Sequence, residues 1–171
     1  MRPKKIIVLS TILIVLCSSA FLLHNIVQKN QKTKDVYRSI PEFQLSDLKG
    51  NNFTNDSLQV DKSTLFLFFD PDCESCEEEF EQIKINRDFL LDYNMIFVST
   101  LPESVILNFL KRIDFQPNEN MFFLCDKKAE LSGKMNVRGI PSALIYNKNG
   151  KLIKNYTGLV KIETLIKYLS E

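Results

Sequence analysis

Residues 6–23, IIVLSTILIVLCSSAFLL, are uncharged and almost wholly apolar, and they follow the basic head MRPKK. No polar face recurs at helical spacing, so a buried soluble helix fits poorly. The pattern predicts a membrane anchor or an export signal. Ser18 and Ala20 supply small residues for cleavage, whereas Phe21, Leu22 and Leu23 carry the run on towards bilayer length, and Cys17 leaves a lipoprotein as a third route. The reading divides the chain into an N-terminal anchor or signal segment (1–24), a polar tether (25–39) and one domain (40–171). All three routes place the domain outside the cytoplasm: anchored in the bilayer by its N-terminus, secreted, or held as a lipoprotein.

Beyond the tether, short apolar runs alternate with periodic stretches. IPEFQLSDLKGNNFT predicts two extended pieces about a turn at Lys49, Gly50 and Asn51. Residues 65–69, LFLFF, lack alternation, as a strand covered on both faces does. From Cys73 the period lengthens. Cys76, Phe80, Ile83, Arg87 and Leu90 share a face, predicting a helix to about residue 91, with Asp72 as an acceptor near its start. MIFVST predicts a strand. Pro102 then opens a helix with Ile106, Phe109, Leu110 and Ile113 on its inner face. MFFLC is a further strand, and AELSGKMN a short helix interrupted by Gly133. SALIY and KLIKNY form a hairpin across NKNG, and a last helix points Val160, Leu165, Ile166 and Leu169 inward. This order predicts an α/β fold: a mixed β-sheet with helices on both faces and a short N-terminal extended hairpin.

Length and charge narrow the function classes. A chain of 171 residues supports one domain with a proper core. Of 22 basic residues six precede Asp35, while all 21 acidic ones lie at or after it, so the body carries a net charge of −5. Such a body gives no reason to expect nucleic acid as a partner. Four cysteines are too few for a disulfide-stapled scaffold. The single histidine, His24, lies in the N-terminal segment, so the body lacks ligands for a zinc site. No metal and no cofactor are expected.

The chemistry concentrates in FFDPDCESCEEEF. Cys73 and Cys76 follow a buried strand and open a helix, where unpaired N–H groups favour an anion. There Cys73 is placed to attack a disulfide and Cys76, one turn on, to resolve the mixed disulfide. The alternative is an inert disulfide, which would add little stability by closing so small a loop. Asp70, Asp72, Glu74, Glu77, Glu78, Glu79 and Glu81 crowd the pair, with no basic residue along the chain until Lys84. Negative neighbours oppose a thiolate, which predicts a reducing pair rather than an oxidising one. Pro141, after Gly139 and Ile140, is unusual at a strand start; as a cis proline it would leave the Ile140 backbone open to pair with an extended substrate. An ordinary trans proline is the other reading. Cys125 ends an apolar strand and reads as a buried small side chain.

At these residues the sequence resembles the thioredoxin fold, in particular the exported, often membrane-tethered thiol-disulfide oxidoreductases of the TlpA and ResA type. FFDPDCESC stands where that family has its strand, loop and CxxC, and GIPSALIYNKNGKLIKNYTG where it has cis-proline, strand, turn, strand and glycine. The resemblance covers residues 40–171. It implies attack by Cys73, resolution by Cys76, and contact of substrate backbone with Ile140 and Pro141. It also implies a glutamate three residues past the second cysteine, here Glu79, followed by Phe80. Two positions depart from the family: Asp72 replaces the usual Trp before the first cysteine, which bears on substrate range, and Leu67 stands where ordinary thioredoxins bury an acid. Proton transfer to or from Cys76 then falls to Glu79 or water.

The expected function is therefore an extracytoplasmic protein-disulfide reductase. Its partners would be protein disulfides, an upstream thiol electron donor that a membrane protein could supply, and the lipid bilayer through the N-terminal segment. The alternative is a membrane-tethered redox relay or chaperone-like module that binds one partner protein without general turnover.

Overall fold

A computed structural model describes residues 16–24 and 38–171. Residues 16–24 are helical (α1), with Leu16, Phe21, Leu22 and Leu23 exposed. Among the described residues no helix is long and apolar enough to cross a membrane. Most of the predicted anchor and nearly all of the tether lie outside the described residues.

The domain is built on one seven-stranded sheet in the order β2-β1-β5-β4-β3-β6-β7. Its strands are β1 (Gln44–Asp47), β2 (Asn52–Thr54), β3 (Thr64–Phe68), β4 (Asn94–Ser99), β5 (Met121–Cys125), β6 (Ser142–Tyr146) and β7 (Leu152–Thr157). β3, β4 and β5 run parallel, and the remaining pairs are antiparallel, which makes the sheet mixed as the element order predicts. β3 lies between β4 and β6, and all five of its residues are buried. That explains its unbroken apolar run: one face packs Leu65, Leu67 and Phe69 and the other Phe66 and Phe68.

The helices are α2 (Glu74–Ile85), α3 (Glu103–Arg112), α4 (Glu130–Lys134) and α5 (Ile162–Leu169). α2, α3 and α5 share the first face, contributing Phe80 and Ile83, Ile106 and Phe109, and Leu165 and Leu169. The second face is closed by Leu131 of α4, Met135, and Phe43 and Phe53 from the N-terminal hairpin region. A cluster of phenylalanines forms the centre of the first face. The Phe80 ring lies 4.9 Å from Phe69, 5.1 Å from Phe97 and Phe109, and 5.3 Å from Phe115. Phe80→Ala is expected to cost about 3–5 kcal/mol, read as a lower midpoint in denaturant unfolding.

Several boundaries differ from the sequence reading. The helix predicted to residue 91 stops at Ile85, because the Asn86 side chain and backbone N–H both donate to the Gln82 carbonyl and end the turn. A 3₁₀ turn, Arg87–Leu90, follows and still buries Leu90. Pro102 is the residue before α3 rather than in its first turn. Gly133 lies inside α4 without breaking it, because Met135 and Leu131 hold that turn against the core. β7 is displaced by one residue from the 151–156 expected.

The chain enters the domain beside the β6–β7 turn. The Ile40 N–H donates to the Gly150 carbonyl at 3.0 Å, and the Leu152 N–H to the Arg38 carbonyl at 2.8 Å. Because Thr64 pairs with Tyr146 and Phe68 with Ser142, this turn lies at the end of the sheet where β3 begins.

Candidate active site

The opposite end of the sheet, where β3 finishes, carries the cysteines. The Phe69 N–H continues the pairing by donating to the Val98 carbonyl, after which the chain turns through Asp70, Pro71 and Asp72. Asp70 holds this turn: its carboxylate accepts the Asp72 N–H at 2.9 Å, and its carbonyl accepts the Cys73 N–H at 3.1 Å. The expected acceptor at the helix start, Asp72, is exposed and does not cap it. Cys73 is itself the N-cap of α2, in extended conformation, with its carbonyl accepting the Cys76 and Glu77 N–H groups.

This local geometry separates the two sulfurs. Cys73 is partly exposed at the helix start, while Cys76, one turn on, points into the core at 1% exposure. No disulfide joins the described cysteines. Burial pushes the Cys76 thiol well above its usual value. The hydrogen bond with Cys73 and the negative charges of Cys73 and Glu79 add to this, against a smaller opposing effect of the Asp70 backbone.

Glu79 follows on the same helix and is also buried, at 1% exposure. Neither carboxylate oxygen has a hydrogen-bond partner. Burial raises its pKa from 4.5 to about 8, outweighing the opposing influence of the Val160 backbone. α5 fixes this arrangement, because the Ile162 N–H donates to Gln82 Oε1 at 3.1 Å and locks the loop after β7 against α2.

The Ile140–Pro141 peptide is cis. Ser142 pairs with Phe68, so Pro141 lies at the same end of the sheet as the cysteine loop. Ile140 is exposed and Pro141 buried, with the Pro141 carbonyl accepting the Gly158 N–H at 2.8 Å. A Cβ at Gly139 would meet Thr157 Cγ2 at 3.0 Å, so the Thr157 side chain would have to give by a few tenths of an ångström to admit one. Cys125 is buried at the end of β5, and burial, with the Glu103 charge adding to it, raises its thiol to about 11.

One residue at the site escaped the sequence reading. Arg112, at the end of α3, donates to the Pro71 carbonyl and to Glu77. The pair is therefore not without a cation, although the sequence places none between Asp70 and Lys84. With Pro71, Asp72, Cys73, Glu74 and Glu77, Arg112 lines an open groove of about 370 Å³ beside the partly exposed sulfur.

Two sulfurs at a helix start, a buried acid behind them and a cis proline on the adjoining strand, all at one end of a mixed sheet, are features of the thioredoxin-like class. The thioredoxin-like domain profile matches residues 51–171, and the chain belongs to that family. No curated protein sequence matches it. Among solved structures, its fold is similar to StoA from Bacillus subtilis, with 18% identity and a TM-score of 0.62 over 78% of this chain and 99% of that one. It is also similar to a secreted Mycobacterium tuberculosis disulfide oxidoreductase homologous to E. coli DsbE, with 19% identity and a TM-score of 0.63 over 80% and 97%. The pneumococcal exposed lipoprotein thioredoxin from Streptococcus pneumoniae matches at 20% identity and a TM-score of 0.59, over 74% and 98%.

Proposed function

We propose that this protein is an extracytoplasmic thiol-disulfide oxidoreductase that reduces protein disulfides through Cys73 and Cys76. The observation that carries the reading is the unpartnered Glu79 carboxyl, buried behind a thiol that burial keeps protonated. Burying an acid without a partner is costly, and a proton acceptor at the resolving sulfur accounts for it.

In the reaction, the Cys73 thiolate attacks one sulfur of the substrate disulfide. The Cys73–substrate bond forms, the substrate S–S bond breaks, and the departing sulfur takes a proton. The ionised form of Glu79, having released its own proton to solvent, then accepts the Cys76 proton, and the Cys76 thiolate attacks Cys73 Sγ. The Cys73–Cys76 disulfide forms and the second substrate thiol leaves. The substrate gains two electrons and the protein loses two, so an external thiol donor must restore the dithiol. Ile140, exposed before the cis peptide, offers its backbone to the substrate chain, and Asp72 shapes the approach to Cys73.

The reducing direction is supported by the surroundings of the pair. Strongly oxidising pairs owe their potential to a very stable reduced thiolate. Here the second sulfur is buried beside a carboxyl, and Asp72, Glu74 and Glu78 are exposed nearby. The location outside the cytoplasm is supported by the apolar N-terminal run and by the description of two similar structures as secreted or as an exposed lipoprotein. The same run would hold the domain to the bilayer.

Cys76→Ala tests the order of attack. The variant is expected to accumulate a mixed disulfide between Cys73 and substrate, seen as a dithiothreitol-sensitive shift on non-reducing gels. Accumulation by Cys73→Ala instead would reverse the assignment.

A further inference from the structure

The Arg112 guanidinium donates through Nη1 to Glu77 Oε2 at 2.6 Å and through Nη2 to the Pro71 carbonyl at 2.8 Å, and it lies 5.3 Å from the Phe109 ring centroid. Pro71 stands two residues before the partly exposed sulfur, and Glu77 lies in the first turn of the helix that follows it. One planar group therefore ties both flanks of the Cys73 segment to α3. A guanidinium fork suits this task, because its donors are held in a fixed plane; a lysine ammonium offers only a point charge. Among the residues lining the groove at Cys73, Arg112 is the single cation, facing the acids Asp72, Glu74 and Glu77.

Both members of the ion pair are about half exposed, so its contribution to stability is small. Its position matters more than its strength. Without Arg112 the Glu77 charge would stand uncompensated in the first turn of α2, where it opposes the helix N-terminus acting on Cys73.

We propose that Arg112 is a positioning residue for the exchange reaction, fixing the Pro71–Cys73 loop against α3 and cancelling the Glu77 charge beside the attacking sulfur. The inference rests on the exchange reading above. In this role Arg112 touches neither substrate nor the reacting atoms; it acts through the loop and through Glu77.

The test is equilibration of the full chain with a glutathione redox buffer, together with the rate of exchange with a small aromatic disulfide. Arg112→Gln is expected to move the equilibrium towards the Cys73–Cys76 disulfide by about three- to tenfold, the size of one partly screened unit charge. Glu77→Gln is expected to move it by a similar factor towards the dithiol. Arg112→Lys keeps the charge, so its equilibrium stays within about twofold of the natural protein, yet its exchange slows together with that of Arg112→Gln because the fork is lost. An Arg112→Gln protein that folds, with both readouts within twofold of the natural chain, would overturn the proposal. Should Arg112→Gln fail to fold, Glu77→Gln decides: a shift towards the dithiol supports the proposal, and no shift overturns it. A natural chain that never equilibrates with glutathione refutes the proposed function itself, a result distinct from any difference among these variants.

Discussion

Serine in place of Cys73 is expected to lower disulfide reduction by at least about a thousandfold, because an alcohol at neutral pH does not replace a thiolate as nucleophile. The measurement is insulin reduction with dithiothreitol as donor. The substitution is well suited to separate chemistry from folding. Cys73 is the N-cap of α2 and makes no side-chain capping bond, whereas serine is among the preferred residues at that position. The melting temperature should therefore hold or rise while turnover disappears. Cys125 is not placed to compensate, being buried with its thiol raised to about 11. Retained turnover in Cys73→Ser would remove Cys73 from the mechanism.

Glu79→Gln is expected to have the second large effect, and one that depends on pH. The Glu79 carboxyl has a pKa of about 8 in the folded protein, against an ordinary value of 4.5. Between those values the native state holds a proton that the unfolded chain has released, so stability falls as pH rises. It is fullest below about pH 4.5, declines up to about pH 8, and levels off above it. The loss across that window is on the order of 5 kcal/mol. Glutamine does not titrate, so urea unfolding of the variant should lack this slope and show a more stable protein at pH 8. In exchange, the variant should resolve the mixed disulfide roughly a hundredfold more slowly. A variant with the natural pH slope would show that Glu79 titrates as it does in the unfolded chain, and unchanged resolution would remove it as proton acceptor.

The contrast between Glu79 and its neighbours shows what the sequence made legible. Glu77, Glu78, Glu79 and Glu81 are alike as letters, and only helical phase distinguishes them. Glu79 lies next to Phe80 on the inward side, and its burial follows from that phase, yet the apolar pattern alone did not select it; the family resemblance did. The strands were easier. β3 is covered on both faces and therefore reads as an unbroken apolar run, and β6 and β7 are joined by an NKNG turn with Gly150 at positive φ. Polar side chains competing with the backbone set the details that were misplaced, Asn86 at the end of α2 and Asp70 rather than Asp72 in the loop. Arg112 was beyond reach for another reason. It meets Glu77 and Pro71 across 35 and 41 residues of chain, and only the packing of α3 on the first face brings them together.

The entry of the chain at Arg38 and Ile40, beside the β6–β7 turn, has a practical corollary. Whatever is joined ahead of these residues is joined at the pole farthest along β3 from the reactive sulfurs. Coupling the domain to beads or a sensor chip through a tag placed directly ahead of Arg38 should leave the dithiol facing the analyte, and mixed-disulfide partners can be captured on such a support without rebuilding the domain.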